Sequence, residues 1–247
     1  MSDKFEHQAS QYAFPYHYIP HFRDGVPRTT RHLRWGLEYL CYQLYLVERI
    51  RELAPGSMLD VGCGDGHLLG LVGDAVPERL GVDLAEQAIR FARAFHPDAR
   101  FEVADAGALT ARFDLVTSIE VLEHVPDDAV GGFLRSLADR TRPGGVVLLS
   151  VPTLVQPLTP KHYRHYDLAL LERQLSDSGA AMHLERVDYV YRQSRVADGL
   201  VRATHNRIFT VEIPGLQRVL WRYTWERLRT ATARDGRHLV ATLRRPG

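Results

Sequence analysis

The sequence predicts an α/β fold in which helices cover both faces of a doubly wound, mostly parallel sheet. Short runs rich in Val and Leu recur along the chain, and segments with helical periodicity separate them. Most of these runs end at Asp, Gly, Glu or Pro, which are residues that stop strands. Strands that alternate with helices of this length require right-handed crossovers between parallel neighbours. We expect seven strands in the sheet.

The strands and helices of this core can be assigned in chain order. The central strands are expected at 57–62, 79–84, 100–105, 113–119 and 145–151. Helices are expected at 67–75, 85–95, 127–140 and 168–180, the last ending at Gly179. Two further strands, 182–191 and 237–245, are expected as edge strands of the sheet.

Two helical segments are expected outside this core. Residues 1–28 are rich in aromatic side chains, His and Pro, and lead into a long helix at about 29–53. Residues 1–53 are thus expected to form an N-terminal cap, and residues 54–247 the main domain. An insertion at about 192–234 precedes the last strand and contains a helix. The cap either closes over a ligand cleft or simply packs on the sheet, and the insertion is a lid, a homodimer contact or both.

Length and composition indicate a globular cytoplasmic protein. The chain has 247 residues and 45% hydrophobic content, enough for one large domain or two small ones. No apolar run reaches the roughly 18 residues of a membrane-spanning helix, and the first residues lack a secretory pattern. The two cysteines, Cys41 and Cys63, indicate neither a disulfide framework nor a cysteine-based zinc site.

Charge is distributed unevenly along the chain. The net charge is +1, but residues 191–247 contain twelve arginines and four acids, which gives 12 − 4 = +8 for this segment. Such a block attracts a ligand that carries phosphate or carboxylate, although a solvated helix surface is the commoner explanation. The near-neutral whole chain argues against binding of long nucleic acid.

A glycine loop follows the first central strand, in LDVGCGDG. Gly62, Gly64 and Gly66 permit a tight turn and allow a ligand to lie against the backbone. The next helix offers its free N–H groups to an anionic group. His67 stands where a dinucleotide fingerprint needs its third glycine, which disfavours a nicotinamide cofactor.

Acidic residues end the next two strands. Asp83 follows the glycine loop by about 20 residues, where a carboxylate can bind both hydroxyls of a ribose. Asp105 ends the third strand, where a carboxylate can accept a hydrogen bond from an adenine amino group. Acids can also simply cap strand ends. Several acids at the carboxyl edge of an open α/β sheet, where such sheets bind ligands, argue against that alternative.

These motifs together resemble those of the class I S-adenosylmethionine-dependent methyltransferases, which have a Rossmann-like sheet. The resemblance covers roughly residues 54–191 and includes GVDL, VADA, FDLVTSIEVLEHVPD and RPGGVVLLSVP. It implies that the glycine loop holds the methionine part of the cofactor, that Asp83 binds the ribose and that Asp105 binds the adenine. The implied cofactor-binding residues are Asp60, Gly62, Cys63, Gly64, Gly66, Asp83, Leu84, Asp105, Ala106, Ser118 and Glu120.

The segment EVLEH, at 120–124, adds a candidate metal site. One helical turn would bring Glu120, Glu123 and His124 to one face, as half of an octahedral site for Mg²⁺ or Mn²⁺. His162 and His165 follow the fifth strand at the same edge of the sheet. This layout resembles two groups, the ubiquinone-pathway O-methyltransferases and the small-RNA 3′-terminal 2′-O-methyltransferases. The resemblance implies metal ligation by Glu120, Glu123, His124 and either His162 or His165.

An alternative for EVLEH needs no metal. Similar segments occur in relatives in which the acid holds the cofactor amino group, and the histidine packs or acts as a base. His124 is then a candidate general base, and His162 and His165 are further candidate catalytic residues.

The predicted function is methyl transfer from S-adenosylmethionine to a small-molecule acceptor in a biosynthetic pathway, on oxygen first and nitrogen next. The acceptor is expected to be anionic, and no membrane partner is expected. One alternative is 2′-O-methylation of RNA 3′ ends, which the near-neutral charge disfavours. Another is a non-catalytic, cofactor-binding scaffold.

Overall fold

The computed structural model describes residues 21–28, 33–206, 211 and 213–247. The first part of the predicted cap, residues 1–20, and the expected start of the long helix, residues 29–32, lie outside the described residues. Among the helices that are described, none has both the length and the apolar composition needed to cross a membrane.

A large mixed sheet and a small hairpin contain the strands of the described residues. The hairpin pairs β1 (His21–Arg23) with β2 (Val26–Arg28). The strands of the large sheet are β3 (Ser57–Val61), β4 (Glu78–Asp83), β5 (Arg100–Val103), β6 (Phe113–Ile119), β7 (Thr141–Pro152), β8 (His183–Arg192), β9 (Thr230–Ala231) and β10 (Gly236–Arg244). Their spatial order is β5-β4-β3-β6-β7-β10-β8-β9. The strands from β5 to β7 in this order are parallel, and the last three are antiparallel to their neighbours.

Helices cover both faces of this sheet, as the sequence predicts. They are α1 (Leu33–Leu53), α2 (His67–Val72), α3 (Glu86–Phe95), α4 (Val130–Arg140), α5 (Leu168–Ser178), α6 (Arg195–Thr204) and α7 (Pro214–Tyr223). A π-helical turn, Thr224–Leu228, continues α7. One face packs α1, α2 and α3 against Met58, Leu148 and Val240. The other packs α4 and α5 against Val116 and Val147.

The topology creates a crevice between β3 and β6. Strands β4 and β5 are added on one side of β3, whereas β6 and β7 are added on its other side. Open α/β sheets bind ligands where the strand order reverses in this way, at the carboxyl ends of the strands. The glycine loop follows β3 and EVLEH follows β6, so both motifs border this crevice.

The sheet differs from the sequence prediction in two respects. It has eight strands instead of seven, because the insertion contributes the two-residue strand β9 beside β8. The expectation that both late strands are edge strands is wrong. β10 pairs with β7 on one side and β8 on the other, and β8 pairs with β10 and, at Tyr189 and Val190, with the short β9. Val240 and Ala241 of β10 are fully buried, which fits a central strand with both faces covered.

Candidate active site

The glycine loop takes a conformation that only glycine adopts without strain. Gly62, Gly64 and Gly66 have φ angles of 76°, 56° and 78°. A Cβ atom on Gly62 would overlap the side chain of Val121, the residue after Glu120. The loop that follows β6 therefore packs directly against the glycine loop.

Asp83 accepts backbone hydrogen bonds at both carboxylate oxygens, and one of these bonds comes from the glycine loop. Its Oδ2 accepts a hydrogen bond from the backbone N–H of Gly64 at 3.0 Å, and its Oδ1 accepts one from Ala85 at 2.8 Å. Burial raises the pKa of Asp83, although these backbone bonds oppose the shift. Leu84, beside it, is 55% exposed and forms an apolar surface at the carboxyl end of β4.

Asp105 and Asp60 have different local roles. Asp105 accepts a hydrogen bond from Gly107 N–H at 2.7 Å and caps the short turn that contains buried Ala106. Asp60 is buried and accepts a 2.7 Å hydrogen bond from the hydroxyl of Thr117 on β6. Burial raises the pKa of Asp60 to about 7, and the nearby Asp83 charge adds to the shift. Thr117 is a residue that sequence reasoning missed.

The EVLEH segment is not the single helical turn that the sequence predicts. Glu120 has a φ angle of 57°, in the left-handed region, and the helical turn comprises only Leu122–His124. The backbone N–H of Glu120 donates to Ser150 O at 3.0 Å, and its Oε1 accepts from Ser150 Oγ at 2.9 Å. Glu120 thus points toward β7, because the chain reverses at this residue before the turn begins.

Glu123, His124 and His162 come together as a group that could hold a metal ion. Their candidate ligand atoms all lie within 4.8 Å of one another. The carboxyl of Glu123 is 1% exposed, and burial raises its pKa well above the usual range, with a further contribution from Glu120. Its Oε2 has no hydrogen-bond partner among the described residues. A buried carboxylate without such a partner is the kind of group that a cation would compensate.

Hydrogen bonds assign the tautomers of these imidazoles. His124 Nδ1 lies 3.0 Å from the carbonyl oxygen of Lys161, so Nδ1 carries the proton and Nε2 the lone pair. His165 Nδ1 lies 3.1 Å from the carbonyl oxygen of Gln156. In its neutral form, His165 therefore accepts at Nε2 from Nδ1 of His162, at 2.7 Å. His162 belongs to the candidate metal group, and His165 lies behind it.

Arg164, between these two histidines, fixes the turn that carries Glu123 and His124. Its guanidinium donates to the carbonyl oxygens of Leu122 at 3.1 Å and Val125 at 2.7 Å. It also pairs with the carboxylate of Asp127. The guanidinium thus satisfies backbone groups on both sides of the turn.

A buried network that sequence reasoning missed also reaches Glu120. His238 of β10 lies between two carboxylates, with Nδ1 at 3.3 Å from Glu120 Oε1 and Nε2 at 3.3 Å from Glu38 Oε1. Burial lowers the pKa of His238, but the two carboxylates outweigh burial and raise it to about 9. The ring of Tyr42 stacks on His238 at 4.2 Å between centroids. Because Glu38 and Tyr42 lie on α1, no local sequence motif contains this network.

Comparison with known proteins identifies the family. A family model described as a methyltransferase domain matches residues 37–211. The ubiquinone biosynthesis O-methyltransferase of Albidiferax ferrireducens is 31% identical over an alignment of 163 positions that covers 53% of this chain and 64% of the relative. A probable S-adenosylmethionine-dependent methyltransferase of Mycolicibacterium smegmatis is 32% identical over 53% of this chain and 55% of the relative. The chain therefore spans less than two thirds of these curated relatives.

Solved structures share the fold. The N-methyltransferase NodS of Bradyrhizobium japonicum, in complex with S-adenosyl-L-homocysteine, aligns with a TM-score of 0.62 and 13% identity, covering 100% of both chains. The methyltransferase domain of bacterial CtHen1-C aligns with a TM-score of 0.58 and 14% identity over 85% of this chain and 99% of that one. At such identities the likeness concerns the fold alone. Through the family match, the chain belongs to the methyltransferase domain family, which confirms the resemblance, the enzyme class and the S-adenosylmethionine cofactor expected from its motifs.

Proposed function

We propose that this protein transfers the methyl group of S-adenosylmethionine to a hydroxyl of a small-molecule acceptor, with a divalent cation bound by Glu123, His124 and His162. The observation that carries the proposal is the candidate metal group. Its members Glu123 and His124 lie on the turn that directly follows Val121, the residue packed against Gly62 of the glycine loop. A hydroxyl is a poor nucleophile until it loses its proton, and a bound cation lowers its pKa.

The residues of the crevice fit the parts of the cofactor. We assign the methionine part to the glycine loop and Asp60, the ribose to Asp83, and the adenine to Asp105 with Ala106 and Leu84. Ser118 and Glu120 would contact the methionine amino group. Positioning is the main contribution of the protein, because the sulfonium of the cofactor already makes the methyl group electrophilic.

The donor set also fits a divalent cation. One carboxylate and two imidazoles suit Mn²⁺ better than Mg²⁺, because Mg²⁺ prefers oxygen ligands throughout. The Nδ1 atoms of both imidazoles bind to groups behind them, which orients each ring and directs the Nε2 lone pairs. Three protein ligands leave coordination positions for acceptor oxygens, so a catechol or vicinal diol is the acceptor class that we favour.

A general base at His124 is the competing mechanism. Its Nε2 lies 3.8 Å from Glu123 Oε1, so a proton taken up at Nε2 would be stabilised by that carboxylate. This mechanism predicts that transfer persists in the presence of a chelator.

The test combines binding and turnover. S-adenosylhomocysteine and Mn²⁺ are titrated calorimetrically into the wild type, Asp83→Asn, Glu123→Gln and the exposed control Asp177→Asn. Methyl transfer from labelled S-adenosylmethionine is then measured on a catechol, a monophenol and an RNA oligonucleotide. We expect Asp83→Asn to lose the S-adenosylhomocysteine heat, and Glu123→Gln to lose only the Mn²⁺ heat and the transfer to catechol.

Several results would contradict the proposal in separable ways. If the wild type gives no heat with S-adenosylhomocysteine, the assignment of a cofactor site is wrong. If a chelator does not reduce methyl transfer, the proposed role of the cation is wrong and His124 is favoured as the general base. If the RNA is the sole acceptor that becomes methylated, the proposal of a small-molecule acceptor is wrong.

A further inference from the structure

The network of Glu38, His238 and Glu120 joins three separate parts of the chain. Glu38 lies on α1, His238 lies near the start of β10, and Glu120 directly follows β6. Arg237, beside His238, also pairs with Glu38 Oε1, at 2.6 Å. The side chains of Glu38 and His238 are 13% and 9% exposed, and that of Glu120 is 27% exposed, so the pair between Glu38 and His238 is the more buried of the two. A buried cation between two carboxylates is held firmly, because removal of any member leaves an uncompensated charge.

Glu120 needs such support because its backbone is strained. A non-glycine residue with a φ angle of 57° persists only where the surrounding structure fixes it. Two bonds to Ser150 and the ion pair with His238 provide three restraints on this one residue. The hydroxyl of Ser150 is itself within 2.7 Å of Tyr42 Oη, so α1 supports this residue through a second route.

The strained residue controls a contact with the glycine loop. Val121 follows Glu120, and its side chain occupies the space that a Cβ atom on Gly62 would need. Gly62 in turn donates its backbone N–H to Val82 O at 2.8 Å. A change in the backbone of Glu120 would therefore move Val121 and alter the loop that holds the methionine part of the cofactor.

From these contacts we propose that His238 is a positioning residue for cofactor binding, which acts by fixing Glu120 and, through Val121, the glycine loop. The effect on the cofactor rests on the proposed function. The effect on the loop does not, because it follows from the ion pairs and from the Val121 contact alone.

The experiment compares His238→Gln with Glu38→Gln, the double variant and a matched control, His183→Gln. His183 is exposed at the start of β8 and undergoes the same substitution on the same sheet. S-adenosylhomocysteine affinity is measured by calorimetry, and backbone hydrogen exchange is measured for residues 61–66 and for α5. The thermal midpoint of each variant is recorded as well.

We expect His238→Gln to weaken S-adenosylhomocysteine binding about tenfold, since the charged interaction that holds Glu120 is lost, and His183→Gln to leave it unchanged. Exchange of residues 61–66 should rise in His238→Gln while exchange of α5 stays constant. A purely structural role would raise both. The double variant should bind within about twofold of His238→Gln, because members of one network do not act additively.

Two results would overturn the inference. One is a folded His238→Gln whose affinity and loop exchange equal those of the wild type. The other is a double variant whose losses are the sum of the two single losses. If His238→Gln does not fold, Glu38→Gln decides instead, with faster loop exchange in support and unchanged exchange against. A wild type that does not bind S-adenosylhomocysteine contradicts the proposed function but leaves the exchange comparison valid.

Discussion

His162 and His165 are joined ring to ring, with Nδ1 of the first 2.7 Å from Nε2 of the second. The carbonyl oxygen of Gln156 accepts from Nδ1 of His165, so Nε2 of His165 is the acceptor in the pair. His162 is therefore protonated at Nδ1, and its Nε2 carries the lone pair. A residue that hydrogen-bonds to the non-ligating ring nitrogen of a metal-binding histidine typically contributes strongly to metal affinity.

We therefore predict that His165→Phe weakens Mn²⁺ binding by about 10- to 100-fold, because His162 loses the group that orients its ring. S-adenosylhomocysteine affinity should not change. Calorimetric titration measures both, with His183→Phe as the control at an exposed histidine. Unchanged Mn²⁺ affinity in His165→Phe would contradict this role.

Gly62→Ala should be far more harmful than Gly73→Ala. Both glycines have positive φ angles, 76° and 53°, so both variants incur backbone strain. Only at Gly62 would the new Cβ also meet a neighbour, the side chain of Val121, whereas nothing lies within 4 Å at Gly73. We expect Gly73→Ala to lower the free energy of unfolding by about 1–3 kcal/mol and to retain S-adenosylhomocysteine binding. Gly62→Ala should lower it further and weaken binding, as urea unfolding and calorimetry can measure. Equal effects of the two substitutions would argue against the close contact.

Arg164→Lys should destabilise the turn that carries Glu123. Lysine keeps the charge but cannot reach the Leu122 and Val125 carbonyls with a planar, forked donor group. The expected loss is about 1–3 kcal/mol in the free energy of unfolding, because a carbonyl with low exposure to water loses its donor. Arg173→Lys, at an exposed position of α5, is the control and should lie within about 0.5 kcal/mol of the wild type. A loss no larger than that of the control would contradict the role of Arg164.

His238 should make stability depend on alkaline pH. Its pKa is about 9 in the folded protein and about 6.5 in a model peptide, so the folded protein binds the proton more tightly. This contribution to stability is fully present below about pH 6.5 and is lost as the pH rises through about 9. The groups that face His238 are Glu38, Glu120 and Tyr42, and burial raises the pKa of Tyr42 well above its usual range.

The difference in the free energy of unfolding between the wild type and His238→Gln should consequently shrink between pH 6 and pH 10, a range chosen to bracket about 6.5 and about 9. Urea unfolding at intervals across this range measures it, and His183→Gln provides the reference. A difference that stays constant with pH would mean that His238 is not charged in the folded protein.

Local sequence signals predicted the parts of the fold that local interactions determine. The helix α5 begins after Asp167, whose carboxylate caps Leu170 N–H at 2.8 Å, and ends at Gly179, which has a φ angle of 65°. The tight turn of the glycine loop and the position of Asp83 at the end of β4 could likewise be predicted, because both depend on residue type at a fixed spacing along the chain.

Contacts between distant segments could not be predicted in this way. The left-handed conformation of Glu120 depends on Ser150 and His238, which are 30 and 118 residues further along the chain. The spacing of EVLEH suggests a helix because it contains no signal for this reversal. The pairing of β10 with β7 is equally non-local, since the sequence of a short apolar strand does not indicate which strands pair with it.

The central position of β10 imposes an order on the assembly of the molecule. A ribosome makes β7 and β8 before β10, yet β10 lies between them and pairs with both. Until it emerges, the nascent chain has an unpaired edge at β7, the kind of edge that invites wrong association. Glu120 also lacks its ion-pair partner until then, because His238 lies on β10. The proposed methyl donor site therefore forms completely only when β10 has been translated and inserted into the sheet.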